Sequence, residues 1–176
     1  MISITEAEAR DIPVIHGLAH IIWPEAYKDI LSSEQLKYML EKMYSIEVLT
    51  SLYHEDGNKF LVARKDNNPV AFALYHPKGS STSIYRLSKI YVHPDSKGKG
   101  IGKMMIENIL NNVTPSGASE LELNVNRNNP AAGFYKHLGF RISGSEDIDI
   151  GGGYFMNDYI MRLPIPAPAP NGNANQ

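Results

Sequence analysis

A glycine-rich loop, residues 97–103, has the residue types that bind phosphate. It reads Lys-Gly-Lys-Gly-Ile-Gly-Lys, and it lies between a β-rich run and a run with helical spacing. Glycines let successive backbone N–H groups turn toward one point, and the helix that follows adds the positive end of its dipole. The lysines add positive charge. This combination predicts a site for a phosphate or diphosphate group.

Spacing separates three phosphate-binding patterns. A P-loop would need a glycine at 97 and a serine or threonine at 104, where the chain has Lys97 and Met104. A dinucleotide fingerprint that begins at Gly98 would need a glycine at 103, where the chain has Lys103. The pattern that remains is a glycine at every second position from Gly98, directly after a predicted strand.

A second run, residues 121–140, reads as a strand, an asparagine-rich turn and a short helix. Asn129 is a good N-cap, and Pro130 fits the first helical position. Gly139 suits the left-handed residue that ends a helix. The run therefore predicts a short helix that begins at Pro130 and ends at Leu138.

Helical spacing in this run separates packing residues from one that could do chemistry. Phe134 and Leu138 are about one turn apart, so we expect both to face the core. Tyr135 lies about 100° from Phe134 around a helix of 3.6 residues per turn, so it can point elsewhere. Its phenol could then exchange a proton with a bound molecule.

Both runs resemble the signatures of the GNAT superfamily of acetyl-CoA-dependent N-acetyltransferases. The loop resembles the pyrophosphate signature Arg/Gln-x-x-Gly-x-Gly/Ala, with Lys97 in the Arg/Gln position. The second run resembles Asn-x-x-Ala-x-x-Phe-Tyr-x-x-x-Gly-Phe, and every written position matches from Asn129 to Phe140. More loosely, Trp-Pro-Glu-Ala-Tyr at 23–27 and the following Ser-Glu-Gln-Leu resemble the bacterial spermidine/spermine acetyltransferase group.

The resemblance implies acetyl-CoA as co-substrate, no metal, and a set of residues that hold the cofactor. Backbone groups of Ile90, Tyr91 and Val92 would bind pantetheine, and one N–H near Val92 would hold the acetyl carbonyl oxygen. Asn129 would bond the pantetheine or cap its helix, and Lys136 would lie near the nucleotide. The pyrophosphate would be held by Lys97, Gly98, Lys99, Gly100, Ile101, Gly102 and Lys103.

The same resemblance gives Tyr135 the role of general acid, which protonates the departing CoA sulfur. A phenol with a pKa of about 10 and a thiol with a pKa of about 8.5 are close enough for positioned proton transfer. The general base stays open. Family members often carry a glutamate on the strand before the glycine loop, and residues 85–90 contain none. Asp158, His93 or a chain of water molecules are the alternatives.

The elements that position these motifs are predicted to form one N-acetyltransferase domain, residues 1–163. The antiparallel start followed by a strand–helix–strand unit predicts an α/β fold with a mixed, mostly antiparallel sheet and helices on both faces. The GNAT resemblance adds a splayed pair of parallel strands, 83–92 and 120–125. We expect the first long helix, 11–22, to be broken by Trp23 and Pro24. Residues 164–176, rich in proline and asparagine, predict a disordered tail.

Composition narrows the class of protein. The 17 basic and 19 acidic residues nearly balance, so no global field draws the chain to nucleic acid or to an anionic membrane. The absence of cysteine excludes a disulfide framework, a cysteine zinc site and a thiol nucleophile. No signal segment and no apolar run long enough to span a bilayer is seen, which favours a cytoplasmic protein. We expect a monomer or a homodimer.

The acceptor is expected to be a small, extended polyamine or a similar primary amine, and not a protein side chain or an aminoglycoside. Acidic residues concentrate at 25–41 and 146–158, in segments that usually wall the acceptor side in this family. Such clusters attract polycations, and nearby aromatic rings could flank a cationic chain. The predicted acceptor residues are Trp23, Tyr27, Tyr154 and Asp158. The alternatives are a GNAT-fold module that senses acetyl-CoA or a metabolite without turnover, and a nucleic-acid binder, against which the net charge argues.

Overall fold

A computed structural model of the protein describes residues 1–168. No helix in this part of the chain is both long and apolar enough to cross a membrane. The strands are β1 (Ile2–Glu6), β2 (Lys59–Lys65), β3 (Asn68–Pro77), β4 (Ile84–Val92), β5 (Glu120–Asn126), β6 (Arg141–Gly151) and β7 (Tyr154–Pro164). The α-helices are α1 (Ile12–Tyr27), α2 (Ser33–Tyr44), α3 (Ile46–His54), α4 (Ile101–Val113) and α5 (Ala131–His137).

The strands form one seven-stranded sheet in the order β1-β2-β3-β4-β5-β7-β6. Neighbouring strands are antiparallel except β4 and β5, which run parallel. Helices α4 and α5 pack on one face, and α1, α2 and α3 pack on the other. The predicted mixed, mostly antiparallel sheet with helices on both faces is therefore confirmed.

The parallel pair β4–β5 is joined only at its start. The paired positions run from Ile84 opposite Glu120 to Leu87 opposite Leu123. Both strands continue past this point without pairing to each other. The sheet is therefore split along the second half of these strands, as the predicted splayed pair requires.

A bulge in β4 marks the point where the split begins. Leu74 of β3 lies opposite Lys89, but the next residue, Tyr75, lies opposite Leu87, so Ser88 has no partner on β3. An extra residue of this kind bends a strand and increases its twist. The bend accounts for the divergence of β4 from β5 just after Leu87.

A buried ionic cluster around Glu122 holds the paired stretch together. Glu122 is 0% exposed. It accepts hydrogen bonds from Lys78 Nζ at 2.8 and 2.9 Å, from Arg86 Nη1 at 2.6 Å and from Arg162 Nε at 2.9 Å. Burial alone would raise the pKa of Glu122, but the Lys78 ammonium and the two guanidinium groups outweigh burial and hold it below its ordinary value. The cluster thus ties β4 and β7 to β5 beside the split.

The predicted break of the first helix at Trp23 and Pro24 is wrong. Helix α1 continues through Pro24 to Tyr27. Proline removes one backbone hydrogen bond and costs about 3 kcal/mol or more inside a helix. Trp23 and Tyr27 are only 2% and 8% exposed, and their rings lie 4.5 Å apart between centroids. Burial of these two large side chains offsets the cost of the proline.

The folded chain extends past the predicted domain end at residue 163. Pro164 pairs with Glu120 as the last residue of β7. Ile165 is 8% exposed in the core beneath α4, and its N–H donates to Ser119 O at 2.7 Å. The first two residues of the predicted tail therefore belong to the fold, because Ile165 has apolar surface to bury. Residues 169–176 of that tail lie outside the described residues.

Candidate active site

The split between β4 and β5 opens a cleft of about 160 Å³. Its polar side is formed by Arg86, Ser88, Asn124, Asn126, Asn129, Tyr135 and Asp158. Its mainly apolar side comes from α1, α2, the turn after α1 and the β6–β7 hairpin, and is formed by Trp23, Tyr27, Leu31, Met39, Ile148, Phe155 and Met156. A wider groove of about 520 Å³ between α1 and α2 contains none of the predicted site residues.

One edge of β4 is open to this cleft. His93 N–H donates to Val70 O at 2.7 Å, so the backbone of His93 points toward β3. The N–H and C=O groups of successive residues point to opposite edges of a strand, so every second residue faces the same edge. Tyr91 therefore also faces β3, whereas Ile90 and Val92 direct their N–H and C=O groups into the split. The expectation that Tyr91 offers backbone bonds there is wrong, because its backbone lies on the paired edge.

The glycine loop ends at a helix start with open N–H groups. Gly98 and Gly100 have left-handed φ angles of 74° and 76°, which residues with a Cβ rarely adopt. Helix α4 begins at Ile101, and the N–H of Met104 donates its first backbone bond, to Gly100 O at 3.0 Å. The three N–H groups before Met104 have no partner within the helix. Open N–H groups at the start of a helix suit an anion.

The lysines of the loop differ in their contacts. Lys99 Nζ donates to Asp95 O at 2.6 Å, and Lys103 Nζ lies 3.7 Å from the Glu107 carboxylate. Lys97 is exposed and forms no ion pair within 4.0 Å among residues 1–168. Lys97 can therefore turn toward an anion without breaking an existing bond.

Tyr135 is buried in the wall of the cleft. It is 7% exposed, and its ring packs against Phe140 with centroids 5.7 Å apart. Burial, with a smaller contribution from Tyr27, raises the pKa of Tyr135 above its ordinary value. The phenol is thus held in its protonated form in the place where the sequence predicts a proton donor.

The predicted orientation of Phe134 is wrong. Phe134 is 40% exposed, whereas its neighbour Tyr135 is buried. Its ring lies against the first turn of α4, where a Cβ on Gly102 would come within 3.2 Å of the Phe134 Cζ. Leu138 is partly buried against the core, as predicted. Helix α5 turns its Tyr135 face toward the cleft in the split sheet. Phe134, on the next face of the helix, therefore lies against α4 and stays exposed.

The other predicted cofactor residues are divided between the cleft and the surface. Asn129 lines the cleft, and its Oδ1 accepts a hydrogen bond from Ala131 N–H at 2.9 Å at the start of α5. It therefore takes part in helix capping and also faces the split. Lys136 is exposed and does not line the cleft.

Three of the four predicted acceptor residues meet in the cleft. Trp23, Tyr27 and Asp158 line it, and Asp158 is 2% exposed. Tyr154 does not reach the cleft. Its ring packs on Tyr38 with centroids 5.2 Å apart, because the β6–β7 turn leans on α2.

Of the two side chains that are alternatives for the general base, one lines the cleft and the other does not. His93 Nδ1 accepts a hydrogen bond from Asp95 N–H at 3.2 Å and caps the turn after β4, away from the cleft lining. Asp158 lines the cleft, and burial raises its pKa above the ordinary value for an aspartate.

The chain is similar in sequence to known acetyltransferases. The sequence profile of the acetyltransferase (GNAT) domain matches residues 56–142. The peptidyl-lysine N-acetyltransferase YjaB of Escherichia coli is 30% identical over 126 residues, which are 71% of this chain and 73% of that protein. The chain belongs to the GNAT family. An uncharacterized N-acetyltransferase of Mycobacterium tuberculosis is 26% identical over 152 residues, 86% of this chain and 96% of its own.

Solved GNAT structures share the fold. The PaiA N-acetyltransferase of Thermoplasma acidophilum, in complex with coenzyme A, superposes with a TM-score of 0.77 at 22% identity, over 93% of this chain and 99% of its own. A spermidine N-acetyltransferase chimera from Vibrio cholerae SpeG and hSSAT gives a TM-score of 0.69 at 20% identity, over 93% and 95%. At these identities the likeness is one of fold, and it does not single out the spermidine/spermine group.

This GNAT protein is an acetyl-CoA-dependent N-acetyltransferase, and acetyl-CoA is its co-substrate. The residues of the cleft fit that molecule. The open edge of β4 has N–H and C=O groups for the amides of pantetheine, and the left-handed glycines before α4 leave room for a diphosphate at the helix start. Within residues 1–168 no group of three or more His, Asp or Glu side chains is placed to hold a metal ion.

Three residues that line the cleft of this GNAT protein were not predicted from its sequence, namely Asn124, Arg86 and Ser88. A signal for Asn124 was present in the Glu-Leu-Glu-Leu-Asn-Val-Asn run of β5. Polar residues at alternate positions of an interior strand must face either a partner or a cavity. The role of Ser88 has no such signal, because a bulge depends on the register with the neighbouring strand.

Proposed function

We propose that this acetyltransferase transfers the acetyl group to a primary amine at the end of an unbranched aliphatic stem, as in a lysine side chain. The observation that carries the proposal is the chemistry of the cleft. Five apolar side chains, Leu31, Met39, Ile148, Phe155 and Met156, line it together with Trp23 and Tyr27. Asp158 is the one carboxylate among the lining residues that the structure describes. An apolar wall that faces a polar wall with one buried acid suits a methylene chain that ends in a single ammonium group.

The polyamine hypothesis loses most of its support when the acidic residues are located. Glu25 pairs with Lys28 at 2.8 Å on the surface, and Asp147 pairs with Arg127. Asp149 accepts a hydrogen bond from the backbone of the β6–β7 turn. A polyamine carries several positive charges along its length, and these acids do not line the cleft. The name of the relative YjaB, a peptidyl-lysine N-acetyltransferase, adds support for a lysine side chain.

On the cofactor side, the open backbone groups of β4, the glycine loop and Tyr135 have one role each. The N–H of Ile90 or Val92 stabilises the carbonyl oxygen as negative charge develops on it during attack. The loop residues Lys97–Lys103, with the start of α4, hold the diphosphate. Tyr135 donates its phenolic proton to the sulfur when the C–S bond breaks. These roles are supported by the match of residues to the family signatures, by the open edge of β4 and by the position of Tyr135 in the wall of the cleft.

A panel of amines tests the acceptor. We would follow thiol release from acetyl-CoA, and identify products by mass spectrometry, for a lysine-containing peptide, Nα-acetyl-lysine amide, n-butylamine, spermidine and a peptide with a free N-terminal alanine. We expect kcat/KM for the lysine compounds to exceed that for spermidine at least about tenfold, or about 1.4 kcal/mol. A kcat/KM for spermidine that is about tenfold above that for the lysine compounds would support the polyamine hypothesis instead. Binding of acetyl-CoA with no turnover of any amine would favour the sensing module.

A further inference from the structure

The face of the sheet toward α1 and α2 carries an unusual group of side chains at the cleft. Asn124 Nδ2 donates to Asp158 Oδ2 at 3.4 Å and to Glu146 Oε2 at 3.5 Å. Both bonds are near the upper limit of hydrogen-bond length, and they share one amide. Asn124 and Asp158 line the cleft, whereas Glu146 lies on the exposed edge strand β6.

The Asn124 amide is incompletely satisfied. Its Oδ1 is buried and meets no hydrogen-bond donor among residues 1–168. Buried carbonyl oxygens nearly always have a donor, because burial without one removes the bonds that water would give. An acceptor in this state beside a cleft points to a ligand with an N–H or O–H group.

Asp158 also lacks a firm partner. It is 2% exposed, and the long bond from Asn124 is its one side-chain hydrogen bond among the described residues. The cations that face it are committed elsewhere, since Arg86 bonds Glu122 and Arg127 bonds Asp147.

The charges around Asp158 do not cancel the effect of burial. Burial raises the pKa of Asp158, and the like charge of Glu146 adds to this. The Asn124 bond and the charges of Arg86 and Arg127 oppose the shift but do not outweigh it. A buried carboxylate of this kind gains most from a cation that enters the cleft.

We propose that Asp158 and Asn124 form the subsite for the acceptor's ammonium group, and that Asp158 takes the proton whose loss turns this group into the attacking amine. An ammonium group has N–H donors only, and the subsite offers it two acceptors, the Asp158 carboxylate and the Asn124 Oδ1 that has no donor among residues 1–168. Asp158 acts here as a catalytic residue and Asn124 as a positioning residue. The inference rests on the proposed function, because it needs an amine acceptor.

The ammonium group loses two protons, one to Asp158 and one to Tyr135. Asp158 takes one proton from R–NH3⁺, and the neutral amine attacks the acetyl carbon, so a C–N bond forms. The C–S bond then breaks, and the sulfur leaves with the phenolic proton of Tyr135. The nitrogen loses its second proton, which restores the Tyr135 phenol, and Asp158 releases its proton to water. The sum is amide, CoA thiol and one proton from the ammonium ion and the thioester.

The first test compares Asp158→Asn with Asp56→Asn, the same change at an exposed turn outside the cleft. With the best amine of the panel, we expect kcat of Asp158→Asn to fall at least about 10²-fold, the usual scale for one general base. The Kd for acetyl-CoA should stay within about threefold. The pH profile of kcat should lose its acidic inflection in Asp158→Asn and keep it in Asp56→Asn.

Two kinetic results would overturn the proposal. One is turnover by Asp158→Asn within about threefold of the wild type with an unchanged pH profile. The other is a raised KM for the amine with unchanged kcat and pH profile, which would leave Asp158 as a binding group and remove the proton transfer. Asn124→Leu, which keeps the volume and removes the amide, should raise the amine KM about tenfold or more while the acidic inflection persists.

Thermal unfolding separates the catalytic role from a structural one. When a carboxyl has a higher pKa in the folded than in the unfolded protein, the protein loses stability as the pH rises from the unfolded pKa to the folded pKa. Above that window the folded state carries the full cost of a buried charge, and asparagine removes it. We therefore expect the Tm of Asp158→Asn at pH 8 to equal or exceed that of the wild type. A lower Tm that accounts for the lost activity would count against the catalytic role.

Ammonium binding gives a readout that does not depend on turnover. Titration of n-butylammonium into the enzyme saturated with CoA should show binding for the wild type and Asp56→Asn, weakened at least about tenfold in Asp158→Asn. Equal binding in all of them would overturn the subsite. If the wild type acetylates no amine but binds the probe through Asp158, the proposed function fails while the subsite stands, so the two failures are distinguishable.

Discussion

Tyr135 shows how burial prepares a single residue for its proposed work. It is the one buried residue of the seven-residue helix α5, and it lines the cleft. Burial raises the pKa of Tyr135, so the phenol keeps its proton at neutral pH. A proton donor must be protonated before each turnover. We therefore expect no loss of kcat from this group up to about pH 10, the ordinary pKa of a phenol.

Replacing Tyr135 by phenylalanine tests this role. The ring packing is kept, and only the hydroxyl is removed, so we expect kcat to fall about 10²-fold with the Kd for acetyl-CoA unchanged. Tyr154→Phe is the matched control, because Tyr154 packs on Tyr38 outside the cleft. Stopped-flow thiol release and isothermal titration give the two quantities. Full turnover by Tyr135→Phe, or an equal loss in Tyr154→Phe, would remove Tyr135 from the mechanism.

At the scale of elements, the site depends on the approach of α4 to α5 over the open edge of β4. Gly102 lies in the first turn of α4, and a Cβ there would come within 3.2 Å of Phe134 Cζ and 3.9 Å of Val92 Cγ2. The Phe134 ring and the Val92 side chain therefore take up the space beside Gly102. A larger side chain at 102 would displace the Phe134 ring and disturb the proposed path of the cofactor from the diphosphate to pantetheine.

We expect Gly102→Val to raise the Kd for acetyl-CoA at least about tenfold and to leave the domain folded. Gly102 is a cleaner test than Gly100, because Gly100 has a φ of 76° and any side chain there adds backbone strain. The matched control is Gly17→Val, in helix α1, where an added Cβ meets nothing within 4 Å. Circular dichroism and titration with acetyl-CoA check the two variants. Wild-type affinity in a folded Gly102→Val protein would contradict the proposed path.

At the scale of the whole molecule, the end of β7 closes the core under α4. The sequence predicts that residues 164–176 contribute nothing, but Ile165 is 8% exposed in the larger core cluster and its N–H bonds Ser119 O. Removing a buried isoleucine side chain costs about 2–5 kcal/mol. At this chain length, 1 kcal/mol shifts Tm by about 2–4 °C.

We therefore expect truncation after Leu163 to lower Tm by at least about 4 °C. Truncation after Pro168 should leave Tm nearly unchanged, since the polar composition of residues 169–176 offers little to bury. Ile165→Ala in the full chain should reproduce most of the first effect. Differential scanning calorimetry checks all three proteins. Equal Tm values for the two truncations would show that Ile165 adds no stability.

Local sequence determined the motifs, the order of the elements and the family of this protein. The glycine spacing from Gly98, the cap at Asn129 and the left-handed Gly139 act through backbone conformation within a few residues. The alternation of strands and helices likewise predicts the mixed sheet, because each hydrophobic face needs a partner of matching period. These features can be read without knowing which distant residues meet.

Only the tertiary structure decided where the site opens and what lines it. The bulge at Ser88 depends on the register of β4 against β3, which no local pattern contains. That bulge lies where the sheet splits, the register of β5 against β7 places Asn124 near Asp158, and the β6–β7 turn carries Tyr154 away to Tyr38. Burial of Trp23 and Tyr27 likewise overrides the helix-breaking tendency of Pro24. Contacts between residues far apart in sequence set these outcomes, because their packing energies exceed the local preferences they oppose.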